Sequence, residues 1–113
     1  MNATQIVNDY LDAFAAGRDP SGFLSDGFSF NGPLLKAENK AEFLQGIAAM
    51  GPMKPRFEVL KQFAQGDDVC TIYNFLINDA KVLMTEVSTV RASKIAAQTL
   101  VYDTVAFKAA TGG

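Results

Sequence analysis

The hydrophobic pattern of the chain changes its period once, from helical spacing in the first half to strict alternation in the second. In the first segment, apolar side chains recur on one helical stripe, at Ile6, Val7, Tyr10, Leu11 and Phe14. Asn2 or Thr4 can cap the start of this helix, and Gly17 stands where a helix commonly ends. The pattern therefore predicts an amphipathic helix at the amino-terminal side.

Two more helical segments and a short strand follow. Asp19-Pro20 is typical of a cap with proline at the first helical position, and it predicts a short helix. Phe28-Ser29-Phe30 alternates like a short strand, which Gly32-Pro33 ends. A third helix is predicted from Asn39, because Glu42 follows three residues later as in a capping box.

From Pro55 onward the apolar residues alternate with period two, which predicts a meander of four strands. We expect the last strand to run from Ile95 through Phe107. Residues 109–113 are small and are predicted to form a frayed tail. The turns between the strands are predicted at 65–68, 78–79 and 92–94.

This order of elements predicts an α+β fold with three amino-terminal helices stacked on one face of an antiparallel sheet. We see no repeat and no linker, so residues 1–113 are predicted to form a single domain. Ile72, Tyr73 and Phe75 make both faces of one strand apolar. The face without helices then needs another cover, and a second copy of the chain is the expected one, which predicts a homodimer.

Composition and charge narrow the class of partner and of chemistry. Apolar residues make up 49% of the 113 residues and charged residues 19%, which suits one packed core. The net charge is −2 and the ten Lys and Arg are scattered, so neither nucleic acid nor membrane is expected as a partner. Without a signal peptide or a long apolar run, the sequence predicts a cytoplasmic protein.

Two absences restrict the reaction. The chain has no histidine, which excludes Ser-His and Cys-His nucleophile pairs, His-based metal sites and His-ligated haem. Cys70 is the only cysteine, so neither an intrachain disulfide nor a thiolate metal cluster can form. We predict no metal and no cofactor.

Four stretches of the chain resemble one known family. They are Tyr10-Leu11-Asp12-Ala13-Phe14-Ala15-Ala16-Gly17-Arg18-Asp19, Phe23-Leu24-Ser25-Asp26-Gly27-Phe28, Ala92-Ser93-Lys94-Ile95 and Val101-Tyr102-Asp103. In order and spacing they resemble the SnoaL-like polyketide cyclase group of the nuclear transport factor 2-like superfamily, over nearly the whole chain. The resemblance implies a cone, also called cystatin-like, in which helices cover the concave face of a strongly curved sheet and a pocket opens at one end.

The fold that this resemblance implies does not select a reaction, because the family contains cyclases, isomerases, dehydratases, epoxide hydrolases and non-enzymatic binding modules. The helix-one tyrosine of ketosteroid isomerase corresponds to Tyr10, but its two catalytic carboxyls fall near Gly32 and Ser88. The limonene epoxide hydrolase acids and arginine fall near Glu86, Ser88 and Leu100. The catalytic patterns of these relatives are therefore not matched.

The same alignment predicts which residues line the pocket. A three-residue loop at 92–94 sets Ser88 opposite Gln98 and Glu86 opposite Leu100, whereas a two-residue loop would turn one strand over. The predicted lining residues are Phe14, Phe28, Phe57, Tyr73, Met84, Ser88, Val90, Gln98, Leu100 and Tyr102.

Glu86 and Tyr10 are the predicted catalytic residues. Burial would raise the pKa of the Glu86 carboxyl toward the range of a general base, although a glutamate is more often found at a wet rim or paired with a cation. Tyr10 could donate to a ligand oxygen, although a tyrosine on an apolar stripe more often belongs to the core.

Three functions remain open at this point. The first is a cofactor-independent isomerase, cyclase or dehydratase, in which Glu86 moves the proton and Tyr10, Ser88 or Gln98 holds the oxyanion. The second is a protein that binds a small apolar, aromatic or polyketide-like metabolite without turnover. The third is a dimeric protein-interaction module, for which the exposed sheet face matters and the pocket is incidental.

Overall fold

The computed structural model describes residues 2–112 of the chain as three α-helices and one six-stranded sheet. The helices are α1 (Ala3–Ala15), α2 (Lys40–Ala48) and α3 (Thr104–Thr111). The strands are β1 (Leu24–Asn31), β2 (Lys36–Ala37), β3 (Arg56–Gln65), β4 (Asp68–Ile77), β5 (Ala80–Arg91) and β6 (Lys94–Tyr102). Their order in the sheet is β2-β1-β6-β5-β4-β3.

The caps of the first two helices follow the sequence signals. The Asn2 side chain accepts a hydrogen bond from the Gln5 N–H at 2.8 Å, which selects Asn2 as the cap of α1. The Asn39 side chain accepts from the Glu42 N–H at 2.9 Å at the start of α2. The Glu42 carboxylate accepts from a backbone N–H in turn, but from that of Glu38 at 3.1 Å. Both starts are thus fixed by side-chain capping, as predicted.

The prediction of three amino-terminal helices on an antiparallel sheet was correct in class, but it was wrong about the third helix, the end of the last strand and the pairing of one strand. The Asp19-Pro20 segment forms only a 3₁₀ turn, Ser21–Phe23, and the third α-helix is the late helix α3. The last strand ends at Tyr102, because the Asp103 carboxylate accepts a hydrogen bond from the Val105 N–H at 3.0 Å and starts a helix.

That helix replaces most of the predicted frayed tail, of which Gly113 lies outside the described residues. The sheet is mixed, since β1 pairs with β6 in parallel, while the other neighbouring strands are antiparallel.

The turn between β5 and β6 is one residue shorter than predicted. Arg91 pairs directly with Lys94, which leaves only Ala92 and Ser93 in the turn. Both have positive φ, 50° and 63°, as a type I′ hairpin requires. By itself, a two-residue turn would have exchanged the inward-facing and outward-facing side chains of one of the two strands.

A bulge restores the predicted register. The pairing of β5 with β6 shifts between Thr89 and Val90, so that Ala96 is an extra residue on β6. Beyond it Ser88 lies opposite Gln98 and Glu86 lies opposite Leu100, as predicted. The predicted register was correct, but its cause is a short turn plus a bulge rather than a three-residue loop.

All three helices pack on one face of the sheet, here called the inner face. One cluster of the core joins α1 and α2 to the sheet through side chains that include Val7, Phe28 and Phe43. A second cluster joins α3 to the sheet through Phe75 and Phe107. No helix of residues 2–112 is both long and apolar enough to cross a membrane.

The opposite, outer face is not covered by a helix within the described part of the chain. Along β5 the side chains of Leu83, Thr85 and Val87 alternate onto this face, and Val101 of β6 pairs with Thr85 between them. Leu83 is 59% exposed and Val101 62% exposed. The outer face therefore carries a contiguous exposed apolar patch.

The β5–β6 turn gives a direct test of the observed geometry. Asn and Gly adopt positive φ more readily than Ala and Ser, so the double change Ala92→Asn with Ser93→Gly relieves the left-handed strain. We expect the free energy of unfolding in urea to increase by about 1 kcal/mol. Ser93→Ala is the control, which should give no gain, and a loss of stability in the double variant would contradict the assigned turn.

Candidate functional site

A cavity lies on the inner face, between the sheet and all three helices. Its volume is about 280 Å³, near the lower end of the range for small-molecule sites, roughly 300–1,000 Å³. Most of its wall is aromatic or aliphatic, and Glu86 is its only charged lining residue among those described. Residues 2–112 contain no group of three His, Cys, Asp or Glu side chains arranged to hold a metal ion.

The structure brings most of the predicted site residues together at this cavity. Its lining includes Tyr10, Phe14, Phe57, Tyr73, Met84, Glu86, Leu100 and Tyr102. They come from α1 and from strands β3 to β6, which meet around the middle of the inner face.

Four predicted lining residues lie elsewhere. Phe28 and Val90 belong to the core cluster that α1 and α2 form with the sheet, and Phe28 packs against Phe43 of α2 with ring centroids 5.0 Å apart. Both residues are therefore covered by helix side chains and lie outside the cavity lining. Two polar side chains are also outside the lining and fully buried: Ser88 and Gln98.

Sequence reasoning missed the part of the wall that comes from outside α1 and the meander. Phe43 and Ile47 line the cavity from α2. Their spacing of four residues is a signal visible in the sequence, but neither was among the predicted lining residues. Phe107 lines the cavity from α3, and it was missed because α3 was predicted as strand. Gly46 lets α2 approach the 33–35 segment, since a Cβ there would lie 3.0 Å from the Leu35 side chain.

Glu86 is a buried carboxylate without a cationic partner. Its side chain is 4% exposed, and no salt bridge to it occurs within residues 2–112. The Tyr73 hydroxyl donates to Oε1 at 3.3 Å, and the Ser88 hydroxyl donates to Oε2 at 3.5 Å. Burial raises the pKa of Glu86 to about 7, and the two hydrogen bonds partly oppose this rise. Glu86 thus lies neither at a solvent-exposed rim nor in an ion pair, which are the two more usual environments of a glutamate.

Behind Glu86, a second polar layer directs the Ser88 hydroxyl. Gln98 Nε2 donates to Ser88 Oγ at 3.1 Å, so the proton of the Ser88 hydroxyl is left to bond Glu86. Gln98 Oε1 is buried without a hydrogen-bond partner in the described part of the chain. Ser88 and Gln98 therefore form a hydrogen-bonded chain to the carboxylate from within the core, outside the cavity lining.

Two buried tyrosines flank the carboxylate. Burial raises the pKa of both Tyr10 and Tyr73 well above the usual value, and the nearby charge of Glu86 raises it further. Both hydroxyls therefore keep their protons and remain donors. Tyr73 is committed to Glu86, and its ring packs edge-on against Phe57 at 5.1 Å. The Tyr10 hydroxyl makes no hydrogen bond to Glu86 or another side chain within residues 2–112.

Comparison with known proteins identifies the fold. No protein-family model and no curated protein sequence matches the chain. Solved structures do match, among them an NTF2-like protein of unknown function from Cytophaga hutchinsonii, with a TM-score of 0.84, 22% identity and 95% of each chain covered. A candidate SnoaL-like polyketide cyclase from Jannaschia sp. CCS1 matches with a TM-score of 0.82 at 12% identity, over 96% of this chain and 90% of that one.

A third match is TerC, co-crystallised with polyporic acid, with a TM-score of 0.86 at 14% identity and 98% of each chain covered. Identities this low establish the fold and not the activity. The resemblance found in the sequence, to the SnoaL-like group of the nuclear transport factor 2-like superfamily, is confirmed at the level of the fold.

The raised pKa of Glu86 makes stability depend on pH in a defined direction. The carboxyl has an ordinary pKa of 4.5 and a pKa of about 7 in the folded protein, so the folded state binds more protons between these values. Stability therefore falls as pH rises through this window, by about 3 kcal/mol in total. Glu86→Gln removes this loss. We expect the free energy of unfolding of the variant in urea, relative to that of the wild-type protein, to increase by up to this amount from about pH 4 to about pH 8.

Glu58→Gln is the matched control. Glu58 is exposed, and its pKa is lowered by the Asn74 amide and by Lys81. The ionised form of Glu58 stabilises the folded state. Relative to the wild-type protein, Glu58→Gln should therefore become less stable as pH rises, whereas Glu86→Gln becomes more stable. A gain for Glu86→Gln that does not change with pH would contradict a raised pKa at Glu86.

Proposed function

We propose that this chain, which has the nuclear transport factor 2-like fold, binds a small apolar or aromatic molecule in its inner-face cavity and moves a proton on it with Glu86. One observation carries the proposal: a buried carboxylate without a cationic partner lines an otherwise apolar cavity. Such a group is costly to bury, and perturbed ionisable groups in cavities cluster at functional sites.

Glu86 suits the role of a general base. A base works best when its pKa lies near the working pH, and burial brings the pKa of Glu86 to about 7. In its ionised form the carboxylate takes a proton from a carbon next to a carbonyl, and an enolate forms. When the ligand has a double bond between its β- and γ-carbons, this enolate is a conjugated dienolate. The same carboxyl then returns the proton to the γ-carbon, the double bond moves between the α- and β-carbons, and the isomerisation is complete without a cofactor.

Tyr10 suits the role of the oxyanion donor. Tyr10 lines the cavity, and its hydroxyl stays protonated and makes no hydrogen bond to Glu86. Such a donor stabilises the negative charge that develops on the carbonyl oxygen during proton abstraction. Ser88 and Gln98, the other candidates from the sequence, lie behind Glu86 and are not proposed for this role.

Binding without turnover is the alternative for the same cavity. In that case the protonated carboxyl of Glu86 would donate a hydrogen bond to the ligand, and no proton would leave a carbon atom. The co-crystal of TerC with polyporic acid supports a small organic occupant in either case. The two functions differ in whether Glu86 exchanges a proton with bound carbon acids.

Hydrogen–deuterium exchange of 2-tetralone separates these functions. This aromatic ketone is small enough for the cavity and has acidic protons beside its carbonyl. We expect the protein in D₂O to accelerate their exchange, as followed by proton NMR, and Glu86→Gln to reduce the acceleration by at least roughly a hundredfold while ligand-induced chemical-shift changes persist. Tyr10→Phe should reduce it by about tenfold or more.

Glu58→Gln serves as the control in this assay, because it removes an exposed carboxylate that is not part of the cavity lining. Exchange by Glu86→Gln at the wild-type rate would refute the catalytic role. Binding of 2-tetralone with no acceleration by the wild-type protein would favour binding without turnover.

We also propose that the outer face pairs with a second copy of the chain. The patch of Leu83, Val87 and Val101 is contiguous and exposed, and a twofold axis allows one such face to pack against itself. Sedimentation velocity should show a dimer for the wild-type protein and a monomer for Leu83→Asp with Val101→Asp. A wild-type monomer at about 100 μM would contradict this pairing.

A further inference from the structure

A second hollow, here called the basic groove, lies beside the cavity. It runs between the end of α1, the α2 helix and the start of β3. Its floor is apolar, with Leu44 and Pro55, and its rim carries three cationic side chains: Arg18, Lys54 and Arg56.

The three cations are not neutralised by neighbouring acids. Within residues 2–112 the ion pair found is that of Lys81 with Glu58, so the groove cations form none. The one acid of the groove, Asp19, accepts a hydrogen bond from the Ser21 N–H at 2.9 Å. A local excess of positive charge in a chain with a net charge of −2 is a binding feature that the overall composition does not predict.

Lys54 has an unusual backbone conformation. Its φ is 51°, in the left-handed region that favours glycine, and its N–H donates to the Gly51 carbonyl at 3.1 Å. This conformation ends the 3₁₀ turn Gly51–Met53, as left-handed residues commonly do at helix ends, and Lys54 lines the groove at that point.

The groove and the cavity adjoin and differ in the sign of their charge. Phe14 and Ile47 border both hollows. No lysine or arginine lines the cavity within the described residues, and Glu86 would repel an anion there. An anionic group on a ligand would thus be excluded from the cavity and stabilised by the cations of the adjoining groove.

We propose that the ligand is an amphipathic anion, with its apolar body in the cavity and a carboxylate or phosphate group in the basic groove. This proposal rests on the proposed function for the placement of the apolar body. It adds the substrate class: an apolar or aromatic skeleton with an anionic group on a short chain that passes Phe14 and Ile47.

A matched pair of probes tests the proposal. The probes are 4-(2-naphthyl)butanoate and 4-(2-naphthyl)butan-1-ol, which differ in the anionic group. The chain contains no tryptophan, so naphthyl fluorescence reports binding directly. We expect the wild-type protein to bind the acid about tenfold more tightly than the alcohol near pH 8, with a preference that shrinks as salt is added.

Two double variants then test whether the groove cations cause the tighter binding of the acid. Arg18→Gln with Arg56→Gln should bring the acid to the affinity of the alcohol and leave the alcohol unchanged. The control is Lys61→Gln with Lys108→Gln, which removes the same net charge from exposed positions outside the groove and should keep the preference. Proton–nitrogen NMR spectra verify that each variant keeps the wild-type fold.

Two outcomes would overturn the assignment of the groove while leaving the cavity function intact. In one, the alcohol binds the wild-type protein as tightly as the acid. In the other, the acid keeps its preference in the Arg18→Gln, Arg56→Gln variant. If neither probe binds, the proposed cavity function and the groove both fail.

Discussion

The register of β6 against β5 is the constraint on which the site depends. Side chains alternate across a sheet, so a shift of one residue would exchange the inner and outer faces of β6. The short turn at 92–93 introduces such a shift, and the bulge at Ala96 cancels it. Glu86 and Leu100 thereby face the same cavity, and Val101 reaches the outer patch.

Much of the fold was predictable because local signals agreed with the global pattern. Asn2 and Asn39 cap the helices that their positions indicate, and alternation along β4 and β5 matches their burial. The α3 helix was missed because Val101, Val105 and Phe107 continue a period of two past Asp103, whose capping role is visible only once the strand is known to end. The parallel pairing of β1 with β6 has no local signal at all.

The site was predictable in its chemistry and less so in its extent. The resemblance to the family indicated which face of β5 and β6 is the inner one, and alternation then placed Glu86, Met84 and Tyr102 on it, where they line the cavity. Which part of the inner face stays hollow depends on the packing of whole helices, and side chains of α1 and α2 cover the part that contains Phe28 and Val90. For this reason Ser88 and Gln98 face the core, where they orient the carboxylate instead of contacting a ligand. Such a distinction needs three-dimensional packing and cannot be obtained from spacing.

The position of α3 has a consequence for ligand exchange. This helix supplies Phe107 to the cavity wall, yet none of its own residues is fully buried, in contrast to α1. Elements with little buried surface detach from a fold at a lower free energy than the core does. We therefore expect the part of the wall that α3 forms to open at a lower free energy than the sheet and α1, so that a ligand can be exchanged without unfolding of the whole protein.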